Sequence, residues 1–228
     1  MKYDVILFDA DQTLFDFEKS EKFALEKTIE KLGFTYNEQD HLRIYHEVNK
    51  KIWKEFELGE ITQEELKVER FNRFKDMISW DFKPSLFADY YMEFLSDASF
   101  IYDDAFAIVE HLSENHRLAI ITNGLTRVQT KRIKGSVIAK YFEEIVISEE
   151  VQISKPNPEI FAYTLKKLGQ DSKESVLMVG DSLTSDIMGG NIFGVDTCWF
   201  NPENQENRAD ITPTYEIKKL SELLPILL

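Results

Sequence analysis

The chain has 228 residues, with 27 Lys and Arg against 41 Asp and Glu, for a formal net charge of −14. That length fits one or two domains with a substantial core, and 43% hydrophobic content with only 9 Gly and 6 Pro excludes a disordered or collagen-like chain. The acidic balance argues against nucleic-acid polymers and anionic membranes as partners, and a single cysteine, Cys198, excludes a disulfide framework and a cysteine-based zinc cluster.

The opening stretch, Met1 to Asp11, carries one lysine and an apolar run only from Val5 to Phe8, too short for a secretory signal. No stretch approaches the roughly 20 apolar residues of a membrane span. The expectation is a cytoplasmic protein without a membrane partner, and by default a monomer. Tyr3-Asp4-Val5-Ile6-Leu7-Phe8 reads as a strand buried on both faces, and it ends abruptly in the polar groups of Asp9, Asp11 and Thr13. The next equally clear strand, Leu118 to Ile121, lies far beyond what a βαβ crossover needs, so a unit is inserted between them.

The insert reads as helices. Ala24, Leu25, Ile29 and Leu32 form an apolar stripe that stops at Gly33, and Leu42, Tyr45, Val48, Ile52 and Phe56 form a second that stops at Gly59. Thr62 and Glu65 make a capping box for a third helix through Leu66, Phe71, Phe74 and Met77. Pro84 opens a fourth, carrying Leu86, Phe87, Tyr90, Tyr91 and Phe94. Four such helices bury their stripes against one another, which predicts a four-helix-bundle domain over 16–97 inserted into a core formed by 1–15 and 98–228.

From Leu118 onward helices and strands alternate. A helix from Leu125 to Lys134 precedes a strand from Glu144 to Ser148, and a helix from Pro158 to Leu168 precedes a strand from Ser175 to Val179. A helix from Ser185 to Phe193, a strand from Thr197 to Phe200, an edge strand at Tyr215 to Ile217 and a helix from Ser221 complete the chain. The polar, proline-containing stretch 201–214 reads as a surface loop. This order predicts an α/β fold: a parallel, Rossmann-like sheet with helices on both faces.

In such sheets ligands gather beyond the carboxyl ends of the strands. Asp9-Ala10-Asp11-Gln12-Thr13 follows the first strand and Thr122-Asn123-Gly124 the second. Ser154-Lys155-Pro156-Asn157-Pro158 comes a short loop after the third, and Gly180-Asp181-Ser182, with Asp186 beyond, follows the fourth. Taken singly, each segment is better read as a turn or a helix cap. Pro156 restricts Lys155 to extended geometry, however, and Asn157-Pro158 suits a helix start, so the lysine is launched from a stiff point. Together the segments bring acidic residues, a lysine and hydroxyl or amide donors to one sheet edge. That composition suits phosphoryl transfer to a carboxylate, which splits ester hydrolysis into two easier steps. Clustered carboxylates need a counter-charge, and an all-oxygen set with few protein ligands suits Mg²⁺.

These segments resemble the haloacid dehalogenase superfamily. Asp9-x-Asp11-x-Thr13-Leu14 is similar to its first motif, Thr122-Asn123 to its second, Lys155-Pro156 to its third and Gly180-Asp181-x-x-x-x-Asp186 to its fourth. The insert after the first motif is similar to the superfamily's type-1 cap. The resemblance implies Asp9 as nucleophile and Asp11 as the acid that protonates the leaving oxygen and later activates water. It implies that Thr122, Lys155 and the backbone at Ala10 bind the phosphoryl group, with Asn123 orienting the site. Asp9, the Asp11 carbonyl and Asp181 would ligate Mg²⁺, with Asp186 supporting it through water. To hold a proton near neutral pH, Asp11 needs burial or neighbouring carboxylates.

Phe8 to Phe17, Val48 to Trp53, Ile147 to Val151 and Val176 to Asp181 further resemble the YjjG/YfnB type of bacterial pyrimidine 5′-nucleotidase. This implies a small phosphate monoester, a nucleoside 5′-monophosphate, as substrate. Asn49 and Trp53 are then candidates for contacting it from the cap, against the ordinary reading of Trp53 as core packing. Tyr102-Asp103-Asp104-Ala105 departs from the Pro-Gly-Ala-like turn of that group, which touches only the local turn. The same core set serves sugar-phosphate phosphatases and mutases, the main alternative. A dehalogenase has no need of an acid at Asp11, and no cap lysine is marked for phosphonate chemistry, though Lys22 and Lys50 are available. A non-catalytic Mg²⁺-dependent binding protein would have lost a core residue, and none is missing. His41, His46, His111 and His116 read as surface or packing residues, and Cys198 as a small buried hydrophobe.

Overall fold

The computed structural model describes residues 2–207 and 211–227, so positions 208–210 of the polar loop lie outside it. In chain order, β1 (Val5–Phe8) leads into α1 (Phe17–Lys31), α2 (Arg43–Glu57), α3 (Gln63–Ile78) and α4 (Pro84–Asp97). Then come α5 (Ala105–Ser113), β2 (Arg117–Thr122), α6 (Thr126–Lys134), β3 (Glu144–Ile147), α7 (Ser148–Val151) and α8 (Pro158–Leu168). The chain closes with β4 (Val176–Gly180), α9 (Met188–Phe193), β5 (Asp196–Phe200), β6 (Tyr215–Ile217) and α10 (Leu224–Leu227). It divides into two units, Met1–Phe17 with Ser99–Leu228, and Glu18–Ala98. Among the described residues no helix is long and apolar enough to cross a membrane.

The larger unit holds the predicted parallel sheet, six strands in the order β3-β2-β1-β4-β5-β6. All four residues of β1 are buried, as a strand covered on both faces requires. Val5 and Leu7 pack with Ile160, Phe161 and Leu165 of α8 on one face. Ile6 and Phe8 pack with Ile108, Val109 and Leu112 of α5 on the other. The chain runs outward from β1 through β2 to β3, then returns to the opposite side of β1 for β4. The direction of winding therefore reverses between β1 and β4, where strand ends part and leave a crevice.

Three local features differ from the sequence reading. Helix α5, whose buried Ala105, Ile108, Val109 and Leu112 repeat at helical spacing, lies between the insert and β2 where no element was assigned. The helix expected from Ser185 begins instead as a π-turn over Leu183–Ile187, with the Ser182 side chain accepting the Ser185 N–H. Helix α7 follows β3 directly. Gly190 lets α9 pass close over β5, since a Cβ there would lie 2.6 Å from Thr197 Cγ2.

The smaller unit is helical, and its ends follow the local signals. Thr62 and Glu65 form both halves of the capping box, Pro84 opens α4, and Gly33 and Gly59 take φ values of 83° and 74°. Its core is aromatic. The fully buried Phe71 ring lies 4.9 Å from Phe87, 5.2 Å from Tyr91 and 5.7 Å from Tyr45, centroid to centroid. Phe71→Ala is expected to cost about 3–5 kcal/mol through the cavity it leaves. Urea unfolding followed by far-UV circular dichroism should show an earlier helical transition, and an unchanged midpoint would contradict this account of the core.

Candidate active site

The reversal of winding brings the ends of β1, β2 and β4 together. Phe8 pairs with Ile120 and Val179, and the Asp9 N–H donates to Val179 O at 2.8 Å, so Asp9 stands level with the end of β4. Asp9, Asp181 and Asp186 each offer an oxygen within 4.8 Å of the others. Lys155, only 3% exposed, reaches into this group. Its Nζ lies 2.5 Å from Asp9 Oδ1 and 2.7 Å from Asp186 Oδ1, and donates to Ile121 O at 2.6 Å. The ammonium thus donates two hydrogen bonds and makes a close ion pair with Asp186.

The electrostatics follow from this crowding. Burial, opposed by Lys155 and reinforced by Asp186 and Asp11, pushes the Asp9 carboxyl up to about 7. Burial, then the Asp9 and Asp186 charges, also holds Asp181 well above the usual carboxylate range. Burial works against the Lys155 ammonium, but Asp186 and Asp9 outweigh it and keep its pKa above the ordinary lysine value. Ionised together, three carboxylates around one ammonium would carry an excess of negative charge, and burial without a further cation resists that state.

Each participant is placed by a specific backbone device. Asn123 brackets the Lys155 peptide, its Nδ2 donating to Lys155 O and its Oδ1 accepting Lys155 N–H, both at 2.9 Å. Asn157 caps α8 through the Glu159 N–H, and Pro158 occupies the first turn. Gly180 leaves room for Asp186, because a Cβ there would overlap the Asp186 carboxylate. Asp186 also accepts the Ser182 N–H at 3.0 Å. Trp199 Nε1 donates to Asp181 O at 2.8 Å and ties that residue to β5. After β1, the Ala10 carbonyl accepts the Leu14 and Phe15 N–H groups, so the loop folds back on itself. Gln12 sits in it at φ 61° and accepts the Phe17 N–H at 3.2 Å.

Asp11 has surroundings that the sequence did not disclose. Neighbouring carboxylates or burial were the expectation; its oxygens instead meet a cation and an amide, and its side chain stays 27% exposed. Arg132 pairs with Asp11 Oδ1, and Gln129 Nε2 donates to Asp11 Oδ2 at 2.6 Å. The same Gln129 Nε2 lies 2.9 Å from Thr122 Oγ1, which also accepts the Gly124 N–H at 3.2 Å. The only trace of this in the sequence is that Gln129 and Arg132, three apart, share one side of α6 with the apolar Val128 and Ile133.

Asn49 and Trp53 belong to the helical unit. Asn49 is 7% exposed, and its carboxamide is engaged at both ends, donating to Glu21 at 2.7 Å and accepting from Arg70 at 3.4 Å. Trp53 is half-buried, edge-on to Phe56 at 5.8 Å. His46 lies 2.7 Å from Glu21, whose hydrogen bond raises the imidazole pKa. His116 is buried with Nδ1 2.9 Å from Tyr3 O, and Cys198 is fully buried in β5.

The haloacid dehalogenase-like hydrolase profile matches residues 3–194. The chain is 37% identical over 232 residues to the pyrimidine 5′-nucleotidase PynA of Streptococcus pneumoniae, covering 100% of this chain and 96% of the relative. It is 34% identical over 227 residues to the pyrimidine 5′-nucleotidase YjjG of Escherichia coli, covering 100% and 99%. The crystal structure of the HAD-hydrolase YfnB from Bacillus subtilis, bound to magnesium, matches with a TM-score of 0.94 at 36% identity, covering 100% and 99%. By sequence and by fold, this chain belongs to the haloacid dehalogenase-like hydrolase family.

Proposed function

We propose that the protein is a Mg²⁺-dependent 5′-nucleotidase that hydrolyses pyrimidine nucleoside monophosphates through a phosphoryl group carried on Asp9. The observation that carries this reading is the Asp9 carboxylate at the reversal of winding, gripped by Lys155 beside Asp181 and Asp186. In the first step an Asp9 oxygen bonds to phosphorus as the ester P–O bond breaks, and Asp11 gives its proton to the leaving oxygen. In the second, water attacks phosphorus, Asp11 takes its proton, and inorganic phosphate leaves Asp9. Lys155, Thr122 and the backbone at Ala10 hold the phosphoryl oxygens, and Asn123 keeps Lys155 in place.

The cluster fits a small divalent cation. Its donors are all carboxylate oxygens lying within 4.8 Å of one another, and its charge excess when ionised is of the sign a cation relieves. Asp9, Asp181 and the Asp11 carbonyl would hold Mg²⁺, with Asp186 supporting it. The ion would supply charge compensation for the approaching phosphate. YfnB, a relative of the same fold, binds magnesium. The choice of nucleoside is supported by the names of PynA and YjjG. In the helical unit we assign the half-buried Trp53 to it, a stacked base being worth about 1–3 kcal/mol, whereas the Asn49 amide is already taken by Glu21 and Arg70.

Three outcomes follow from these assignments. Activity is lost in EDTA and returns with Mg²⁺, and the cation also acts on stability in a pH-dependent way. Without it, the folded Asp9 holds its proton up to about 7, whereas the unfolded residue releases it near about 4. That contribution to stability is complete below about 4 and is lost as pH rises through about 7. Mg²⁺ therefore raises Tm more at pH 8 than at pH 5; equal shifts would contradict the assignment of Asp9 as a ligand. Asp9→Asn abolishes both turnover and the phosphoryl-enzyme trapped by acid quench, so any remaining label on the protein would place the nucleophile elsewhere. Finally, kcat/KM for UMP, dUMP or dTMP exceeds that for purine nucleotides, glucose phosphates and glycerol phosphate. A sugar phosphate ahead of every nucleotide by tenfold, about 1.4 kcal/mol, would leave only the family assignment standing.

A further inference from the structure

We propose that Gln129 and Arg132 of α6 are positioning residues that aim the Asp11 carboxylate for proton transfer; this rests on Asp11 being the acid and base of the reading above. Both Asp11 oxygens are held, one by the Arg132 guanidinium and one by Gln129 Nε2. A carboxylate fixed at both oxygens loses its freedom to rotate about its own axis. Proton transfer depends on that orientation, since misalignment of the reacting groups lowers the rate steeply.

The clamp is itself fixed from several sides. Gln129 is buried, and its carboxamide is fully used: Nε2 serves Asp11 and Thr122, and Oε1 accepts from Arg132 at 3.1 Å. One amide thereby links the acid to the hydroxyl assigned to the phosphoryl group. Gly124 makes room for it, because a Cβ there would overlap the Gln129 side chain. Arg132 is fully buried, with its guanidinium 5.1 Å from the Phe15 ring centroid and 5.5 Å from that of Phe17. A buried guanidinium is costly unless paired. Here one carboxylate that it pairs with is the partly exposed Asp11 side chain at the catalytic strand tip.

The test removes the polar contacts while keeping volume, with Arg132→Met and Gln129→Met, and keeps the charge with Arg132→Lys. Each is assayed on the best alkyl phosphate of the panel and on 4-nitrophenyl phosphate, whose leaving group needs little protonation. Each is also combined with Asp11→Asn, and thermal unfolding and phosphoryl-enzyme stoichiometry report on the fold. Each methionine variant should lower kcat on the alkyl ester at least about tenfold more than on the aryl ester. Arg132→Lys should recover part of that loss, and in the Asp11→Asn background the methionine variants should add little further loss. Equal losses on both esters, or full additivity with Asp11→Asn, would overturn the clamp and leave the two residues a structural part. If Asp11→Asn itself loses equally on both esters, the acid role falls and the clamp with it. If Asp11→Asn discriminates and the clamp variants do not, the clamp alone falls. Should Arg132→Met not fold, Gln129→Met and Arg132→Lys still decide.

Discussion

A buried lysine held among carboxylates sets the terms for the rest of the larger unit. Charges of both signs taken out of water are tolerated only when each finds a close, well-oriented partner. Lys155 meets that demand with two carboxylates and a backbone carbonyl. Satisfying it requires stiffness around it, and the surrounding residues supply that stiffness through the backbone. Asn123 brackets the lysine's own peptide, Trp199 holds the Asp181 carbonyl, and Gly180 yields its side-chain space to Asp186. The apolar, two-faced burial of β1 matters for the same reason. A strand anchored on both faces cannot drift, so the carboxylate at its tip cannot either.

The same device for burying a guanidinium occurs in both units. Arg132 lies by the rings of Phe15 and Phe17 and pairs with Asp11. Arg70, also buried, lies 4.8 Å from the Phe71 ring and 5.0 Å from that of Tyr91, with Asn49 as a hydrogen-bond partner. Planar, weakly hydrated guanidinium groups suit aromatic faces in a way that ammonium groups do not. The consequences differ. In the larger unit the arginine pairs with a side chain at the strand tips, whereas in the helical unit it joins Asn49 and Glu21 in a buried polar network that reaches the partly exposed His46.

The two units also divide the functional reading. The strand-tip groups address what every phosphate monoester shares, a transferring phosphoryl group, and their composition carries no information about the nucleoside. The proposed reading therefore looks to the helical unit for preference among substrates. Family membership follows from the first set of residues, and the narrower proposal from the second together with the full-length relatives.

Much of this was legible in the sequence because it is local. Apolar runs and their periods marked the strands and most helices, and Thr62, Pro84, Gly33 and Gly59 marked ends, since capping and positive φ are decided by a few adjacent atoms. The strand-tip motifs were legible because a parallel sheet always exposes the same end of each strand to the crevice. What periodicity cannot report is which polar side chain turns inward. Gln129 and Arg132 read as ordinary helix residues, yet the packing of α6 puts them on Asp11. Asn49 read as an available amide, yet Glu21 and Arg70 occupy it. Helix α5 was missed beside the insert boundary, and the π-turn at Leu183–Ile187 is shaped by bringing Asp186 back over Gly180. The sequence by itself determined the parallel sheet and the order of the motifs along its strand tips. Only the tertiary structure decided the partners of Asp11 and Asn49, because those contacts join residues far apart in the chain, and their energy exists only once both are buried together.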